Sequence, residues 1–283
     1  MKLISFVLNG KNTYGVVTDE QKVLDLGPLL GDRFADLASL LGNNDLSPVQ
    51  DALKNNPATL DYEALELLPV IPNPGKIFCI GLNYADHVKE TNREVTESPT
   101  IFLRVAESQV AHKDSIVLPP ESVKLDYEGE IAIVIGKGGR RISEAEAWDH
   151  IAGYACYNDG SIRDWQTATS QWTPGKNFWK TGGFGPWLVT SDEIKPDQEL
   201  TLVTRLNGQE MQRTTTELLI HSIPRQIAYI SSFLPLNAGD VIVTGTPGGV
   251  GAKRNPPVFM KEGDIVEIEV DAIGVLRNTI SAE

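Results

Sequence analysis

The chain has 283 residues, with 38 Asp and Glu against 25 Lys and Arg, so its formal charge at pH 7 is −13. Nucleic-acid binding needs clustered Lys and Arg that displace phosphate counterions, so this acidic balance argues against it. No apolar run approaches the roughly 20 residues of a membrane-spanning helix, and the start of the chain lacks the apolar stretch of a secretory signal. Cys79 and Cys156 lie far apart in apolar stretches without CxxC spacing, which predicts buried thiols in a reducing cytoplasm.

The N-terminal segment, 1–70, is predicted to form a small α+β domain. Segments 3–8 and 14–17 resemble the strands of a hairpin around Asn9-Gly10, and segments 34–41 and 48–53 carry helical spacing. Three prolines and a glycine then fall between Pro69 and Gly75, which is typical of a domain boundary. We therefore expect one domain at 1–70 and a larger one at 75–283.

The rest of the chain is predicted to be rich in short strands. The predicted strands cover residues 77–81, 100–104, 127–135, 152–157, 187–190, 200–206, 241–244 and 265–270, and the predicted helices cover 84–91, 143–150 and 223–233. Because the strands do not alternate regularly with long helices, a mixed β fold is favoured over a doubly wound or TIM-type parallel sheet.

Two acids enter an apolar strand in the segment Leu125-Asp-Tyr-Glu-Gly-Glu-Ile-Ala-Ile-Val-Ile-Gly136. On a strand Glu128 and Glu130 share one face, about 6.6 Å apart along it. Both faces then turn apolar, as in a strand that is buried on both sides. Buried carboxylates need a cation, but a solvated strand end, or pairing with Arg or Lys, is an equal alternative here.

A third acid, Asp159, also ends an apolar strand. An all-oxygen ligand set favours a hard cation, Mg²⁺ or else Mn²⁺ or Ca²⁺, over zinc. The four histidines show no HxxxH spacing, which argues further against zinc.

His87 and Glu90 lie three residues apart on a predicted helix, so their side chains are neighbours. A carboxylate beside an imidazole fixes the ring tautomer and raises its basicity, as a general base requires. A solvated surface pair is the alternative. The position of the helix after a strand and a glycine favours the functional interpretation.

Two loops offer further candidates. The glycine-rich loop at 244–251 lacks both the P-loop and the dinucleotide pattern, so it either presents backbone N–H groups to an anion or is a simple turn. Lys176 follows a glycine in a loop rich in aromatic residues; if partly buried, it suits stabilisation of an oxyanion.

Taken together, GLNYADHVKE, LDYEGEIAIVIGK, NDGSIRDWQ, GKNF, FGPW, RLNGQ, GDVIVTGTPGGVG and KEGDIVEIEVDAIG resemble, in this order, the fumarylacetoacetate hydrolase superfamily from about Lys76 to the C-terminus. The segment 1–70 resembles the small leading domain of many bacterial members. The resemblance implies an α+β, β-rich fold, with a mixed β-roll or sandwich catalytic domain, usually in a homodimer.

The resemblance also implies roles for individual residues. Mg²⁺ would be held by Glu128, Glu130 and Asp159, and the family's His–Glu pair and catalytic lysine would be His87, Glu90 and Lys176. Gln166 would help to place water, and Thr246 would contact the substrate carboxylate, with Gly245 beside it. Arg104 stands where a lysine is usual and is expected among the substrate contacts. The loop at 179–184 departs from the family pattern, which leaves the substrate open.

These features lead to the expectation of a Mg²⁺-dependent hydrolase that cleaves a C–C bond in a 2,4-diketo acid, such as an acylpyruvate, through a pyruvate enolate. The same site could instead serve an oxaloacetate decarboxylase or tautomerase, or a hydroxymuconate-type isomerase. The expected partners are a small keto acid and a second copy of the chain, with no nucleic acid or membrane. A binding protein without catalysis would need no base, so the His87–Glu90 pair argues against it.

Overall fold

A computed structural model describes all 283 residues. The strands are, in chain order, β1 Lys2–Leu8, β2 Lys11–Val17, β3 Lys22–Asp25, β4 Leu60–Asp61, β5 Glu66–Leu67, β6 Ile77–Gly81, β7 Thr100–Arg104, β8 Gln109–Val110, β9 Ser115–Leu118, β10 Leu125–Asp126, β11 Gly129–Ile135, β12 Ile151–Asn158, β13 Ser161–Ile162, β14 Gly182–Thr190, β15 Thr201–Leu206, β16 Gln209–Thr215, β17 Val241–Val243, β18 Ile265–Val270 and β19 Gly274–Ala282.

The helices are short. They are α1 Gly27–Leu30, α2 Leu37–Leu41, α3 Ser47–Asn55, α4 Ala85–Glu90, α5 Arg163–Gln166, α6 Thr173–Lys176 and α7 Ile223–Phe233, with 3₁₀ turns at Tyr62–Ala64, Ala106–Ser108, Ala147–His150, Ser191–Glu193, Thr216–Leu218 and Gly251–Lys253. The β-rich α+β fold is confirmed. No helix has the length and apolarity that a bilayer crossing requires.

One large sheet of 12 strands runs through the molecule in the order β4-β3-β2-β1-β14-β12-β11-β17-β6-β7, with β5 on β1 and β8 on β14. A second sheet has the order β16-β15-β18-β19-β9, and β10 pairs with β13. Because β1 pairs with β14, the strands of the N-terminal segment continue the sheet of the rest. The division at 1–70 and 75–283 stays a prediction, and the structure adds that the two parts share one sheet.

The central strand β11 is buried on both faces, as its sequence predicts. Ile131, Ile133 and Ile135 pack into a cluster with side chains of the second sheet, such as Leu202 and Ile268. Ala132 and Val134 pack on the opposite face, in a cluster with side chains of α2 and α3. The large sheet is therefore sandwiched between the smaller sheet and the helices of the N-terminal segment.

Some sequence predictions were wrong in detail. The segment 143–150 forms only a 3₁₀ turn at Ala147–His150, although Ser143 Oγ does donate to Glu146 Oε2 at 2.6 Å. The predicted strand at 127–135 begins only at Gly129, where β11 starts, so Glu128 lies in the short connection between β10 and β11, although its carboxylate still meets that of Glu130.

Candidate active site

The acidic site forms at one edge of the large sheet because of strand direction. β12 runs antiparallel to β11, so Asn158 at its end pairs with Gly129 at the start of β11. β17 is also antiparallel to β11 and is parallel to β6, so both end at the same edge. The loops that follow β6, β12 and β17 and the start of β11 therefore converge on one point.

Glu128, Glu130 and Asp159 meet at this point. One carboxylate oxygen from each lies within 4.8 Å of the others, and all three residues are buried. Backbone contacts fix the junction, because the Asp159 N–H donates to the Glu128 carbonyl at 2.8 Å and the Glu128 N–H donates to Asn158 Oδ1 at 3.0 Å. We call these three residues the acidic cluster.

Two of the three carboxylates have cationic partners. Lys176 Nζ, only 1% exposed, donates to Glu128 Oε2 at 2.7 Å and to Asp159 Oδ2 at 2.6 Å. Arg163 Nη1 contacts Glu128 Oε1 at 2.6 Å. Burial lowers the pKa of Lys176, but Asp159 and Glu128 outweigh that effect, so its pKa lies above the usual range and the ammonium is charged. Burial raises the pKa of Glu128, but Lys176 and Arg163 outweigh it and hold that pKa well below the usual range.

Glu130 has no cationic partner, and its carboxylate Oε2 accepts only the Gly245 N–H at 2.5 Å. Burial, together with Asp159 and Glu128, raises the pKa of Glu130 well above its usual range. Oxygens on one Mg²⁺ can lie about 4.2 Å apart and oxygens on one Ca²⁺ about 5 Å apart, from bond lengths of about 2.1 and 2.5 Å. The acidic cluster therefore has the oxygen donors, the spacing and one carboxylate without a cationic partner, Glu130, which together fit a divalent cation.

The His87–Glu90 pair is formed as its spacing predicts. His87 Nδ1 lies 2.7 Å from Glu90 Oε1, and Glu90 Oε2 accepts the Gly249 N–H at 2.9 Å. With Nδ1 as the donor to the carboxylate, Nε2 is left as the acceptor, and it has no protein partner. This arrangement is what a proton-transfer group at neutral pH requires.

The glycine-rich loop does present backbone N–H groups to anions, and the anions are the protein's own carboxylates. In addition to the bonds from Gly245 and Gly249, the Gly251 and Ala252 N–H groups donate to Asp126 Oδ1 and Oδ2 at 2.8 and 2.9 Å. Asp126 Oδ2 also accepts from Arg163 Nε at 2.8 Å. Backbone N–H groups of this loop and of Ala252 thus contact the His87–Glu90 pair, the acidic cluster and, through Asp126, Arg163.

A cavity of about 450 Å³ opens onto this site, within the size range of small-molecule sites. Of the residues singled out in the sequence, it is lined by His87, Glu128, Glu130, Gln166, Lys176 and Thr246. Asp159, Glu90 and Gly245 do not line the cavity themselves. They hydrogen-bond to the lining residues Lys176, His87 and Glu130, respectively.

Gln166 and Thr246 differ in how much of each side chain the protein leaves free. Gln166 Oε1 accepts from Arg163 Nη1 at 2.9 Å, which leaves its NH₂ group without a protein partner. Thr246 Oγ1 donates to the Gly129 carbonyl at 3.0 Å and accepts from Gln212 Nε2 at 2.9 Å. The hydroxyl hydrogen of Thr246 is therefore already used.

Two expected substrate contacts need correction. Arg104 does not line the cavity; its fully buried guanidinium donates to Asp159 Oδ1 at 2.5 Å and to the Gly160 carbonyl at 2.9 Å. Gly245 donates its N–H to Glu130 rather than to the cavity. Both therefore position members of the acidic cluster, since these hydrogen bonds leave neither group open to a substrate.

The sequence analysis missed several lining residues. Arg163 is in the quoted RDWQ segment, three residues before Gln166, and a cation four residues after Asp159 was the available signal. The other charged or aromatic lining residues that were missed are Arg93, Phe102, Lys124, Asp164, Trp172, Lys253 and Phe259. No local pattern marks these, because their segments meet only in the folded chain.

Comparison with known proteins agrees with this geometry. Residues 76–281 match the family model of the fumarylacetoacetate (FAA) hydrolase C-terminal domain. The chain is 43% identical over 242 residues to oxaloacetate tautomerase fahd2, mitochondrial, from Xenopus laevis, covering 85% of this chain and 76% of that one. Fumarylacetoacetate hydrolase from Exiguobacterium antarcticum superposes with a TM-score of 0.84 at 30% identity, with all of both chains covered.

A maleylpyruvate hydrolase from Sphingobium sp. SYK-6, solved with manganese(II) and pyruvate, superposes with a TM-score of 0.83 at 27% identity, covering 100% of this chain and 99% of that one. The resemblance inferred from the ordered motifs is thus confirmed over the larger part of the chain. The chain belongs to the fumarylacetoacetate hydrolase family.

Proposed function

We propose that this protein is a divalent-metal-dependent enzyme that interconverts the enol and keto forms of a 2-oxo acid, with oxaloacetate as the substrate. The observation that carries the proposal is that a His–Glu pair and a buried acidic cluster line or support the same cavity. The named activity of the Xenopus relative supports the choice of reaction.

Glu128, Glu130 and Asp159 would hold the cation. Three carboxylates favour Mg²⁺, and the Sphingobium relative was solved with Mn²⁺. When bound, such a cation supplies charge that stabilises an enolate oxygen. Lys176 and Arg104 keep the carboxylates in place and balance part of their charge.

His87 would carry the proton. In the conversion of enol to keto, the hydroxyl at C2 loses a proton and C3 gains one, so no water is consumed. His87 Nε2 is free of protein partners and can take the first proton and supply the second, while Glu90 stabilises the charged ring through Nδ1.

Hydrolysis of an acylpyruvate is the second candidate. It is favoured by Lys176, which lines the cavity and has used two of its three N–H donors, so one is left for a developing oxyanion. The free NH₂ group of Gln166 could orient the attacking water. Here a water is consumed and the C–C bond breaks, so the products differ from those of tautomerisation.

The test is to follow loss of enol oxaloacetate by its ultraviolet absorbance, with Mg²⁺, Mn²⁺ or EDTA, and to identify products by mass from oxaloacetate and acetylpyruvate. We expect metal-dependent loss of enol with the mass of oxaloacetate retained. His87→Gln should reduce the rate by about 10²–10⁴-fold and leave Mg²⁺ binding intact. Pyruvate and acetate from acetylpyruvate would establish the hydrolase instead; no acceleration of either reaction would refute both.

The cytoplasmic location and the homodimer stay predictions. Both cysteines are free and buried, which is consistent with a reducing compartment. The name of the Xenopus relative places that protein in mitochondria.

A further inference from the structure

The outer part of the cavity is positively charged, although the chain as a whole carries a formal charge of −13. Arg93, Lys124 and Lys253 all line it, and all three residues are exposed. None of them forms an ion pair with a carboxylate anywhere in the molecule. We call these three residues the basic rim.

The basic rim differs from the two cations deeper in the cavity. Lys176 is buried, Arg163 is largely buried, and both are already bound to carboxylates. The one lining carboxylate outside the acidic cluster is Asp164, which accepts from Ser122 Oγ at 2.7 Å. Outside the acidic cluster and its two bound cations, the lining therefore carries the three rim cations against one carboxylate, which leaves a net positive charge.

The backbone segments that carry two members of the rim, Lys124 and Lys253, both lie next to the buried Asp126. Lys124 precedes Asp126 by two residues, and Lys253 directly follows Ala252, whose N–H donates to Asp126 Oδ2 at 2.9 Å. Arg163 bridges Asp126 and Glu128. The backbones that carry both lysines are thus fixed relative to the acidic cluster.

Arg93 comes from a separate segment, just after α4. Its guanidinium lies over the ring of Trp172, 5.2 Å from the ring centroid, and Trp172 also lines the cavity. Stacking on an aromatic ring leaves the N–H donors at the edge of a guanidinium free for a carboxylate. Three cations from different segments therefore border one opening.

We propose that Arg93, Lys124 and Lys253 bind the second carboxylate of a dicarboxylic 2-oxo acid. This inference rests on the proposed function for its assumption that the 2-oxo-acid end lies at the acidic cluster. A cation there neutralises only that end of the ligand, so a dianion needs further positive charge for its distal carboxylate. Unpaired cations at the opening meet that need and also attract anions into the cavity.

The test compares binding of a dicarboxylate and a monocarboxylate to the Mg²⁺-loaded protein by calorimetry. The probes are 3,3-difluorooxaloacetate, which has no proton on C3 and cannot tautomerise, and pyruvate. The variants are Arg93→Met, Lys124→Met and Lys253→Met, singly and combined. Lys11→Met is the matched control, because Lys11 is an exposed, unpaired lysine outside the cavity.

We expect the combined variant to raise the Kd of difluorooxaloacetate about 10- to 100-fold, since a hydrogen bond to a charged group is lost, and to change that of pyruvate less than about 2-fold. Lys11→Met should leave both unchanged. An equal loss of affinity for both ligands would show that the cations act only through the overall positive potential, and it would overturn the inference. An unchanged affinity for the dicarboxylate would overturn it as well.

The two proposals can fail separately. If the wild-type protein binds the dicarboxylate through the rim but does not act on oxaloacetate, the proposed reaction is wrong and the carboxylate site stands. If the protein tautomerises oxaloacetate and the combined variant binds both probes as the wild type does, the reaction stands and the site is wrong.

Discussion

Replacement of Lys176 by methionine tests how the acidic cluster is stabilised. Methionine keeps the length and apolar bulk of the side chain but removes the ammonium that holds Glu128 and Asp159 at 2.7 and 2.6 Å. Removing one partner of a buried ion pair costs about 3–5 kcal/mol, and here the loss leaves only the guanidinium groups of Arg163 and Arg104 to balance the buried carboxylates. At about 2 °C for each kcal/mol in a chain of this size, the melting temperature in EDTA should fall by about 6–10 °C.

A divalent cation should reverse much of this loss. A ligand that binds only the folded state at 100 times its Kd adds about 2.7 kcal/mol of stability, and the cluster of Lys176→Met has one positive charge fewer to repel Mg²⁺. The gain in melting temperature on adding Mg²⁺ should therefore be larger for Lys176→Met than for the wild type, measured by scanning fluorimetry.

Lys76→Met provides the matched control. Lys76 Nζ binds the fully buried Asp240 at 2.7 Å, so this variant likewise removes an ammonium group from a buried carboxylate. No group of three potential ligands surrounds Asp240, so Mg²⁺ should stabilise Lys76→Met no more than the wild type. Equal rescue of the two variants, or a Lys176→Met protein as stable as the wild type in EDTA, would refute the reasoning.

Three further predictions concern other groups of the structure. Burial, Asp159 and Glu128 raise the pKa of Glu130 above its ordinary 4.5, so above that pH the folded apo protein holds one proton more than the unfolded chain, and its stability in EDTA should decline as pH rises. Glu130→Gln should flatten this decline in pH-dependent melting and abolish the rise in melting temperature on adding Mg²⁺. An unchanged rise would contradict the role of Glu130 as a metal ligand. Burial, and then the charge of Lys113, lowers the pKa of His112 to about 4, and His112 Nδ1 accepts the Arg277 N–H at 3.0 Å. As pH falls, His112 is therefore protonated in the unfolded state before the folded state, so stability should be lost from about pH 6.5 towards pH 4. His112→Asn should show a shallower loss of stability in the same melting series. Glu90→Gln keeps the size of the side chain but not the charge beside His87, so turnover of oxaloacetate should fall about 10²-fold or more with Mg²⁺ affinity unchanged in calorimetry; a matching loss of Mg²⁺ affinity would assign Glu90 a structural role.

The parts of the site that could be predicted from sequence are those with local signals. The approach of His87 to Glu90 follows from helical spacing, and the burial of β11 on both faces follows from its apolar run. The acids at the ends of apolar strands pointed to a charged site, although Glu128 reached it from between two strands.

The parts that could not be predicted depend on chain topology. Lys176 meets Glu128 across 48 residues, and Gly249 meets Glu90 across 159. Arg104 reaches Asp159 across 55 residues because β7 and β12 belong to one sheet. The strands β16 and β19 were missed because polar or exposed residues interrupt them throughout, so neither has an apolar run.

The backbone of the glycine-rich loop, continued by Ala252, holds acidic residues of the candidate site independently of the side chains at the cavity opening. Its amides bind Glu90, Glu130 and Asp126 through the backbone, so these contacts do not depend on which side chains border the opening. Residues such as Arg93 and Lys253 can then be exchanged without moving the base or the acidic cluster. A redesign for a different ligand could therefore begin with these border positions and keep the backbone of 244–252 as it is.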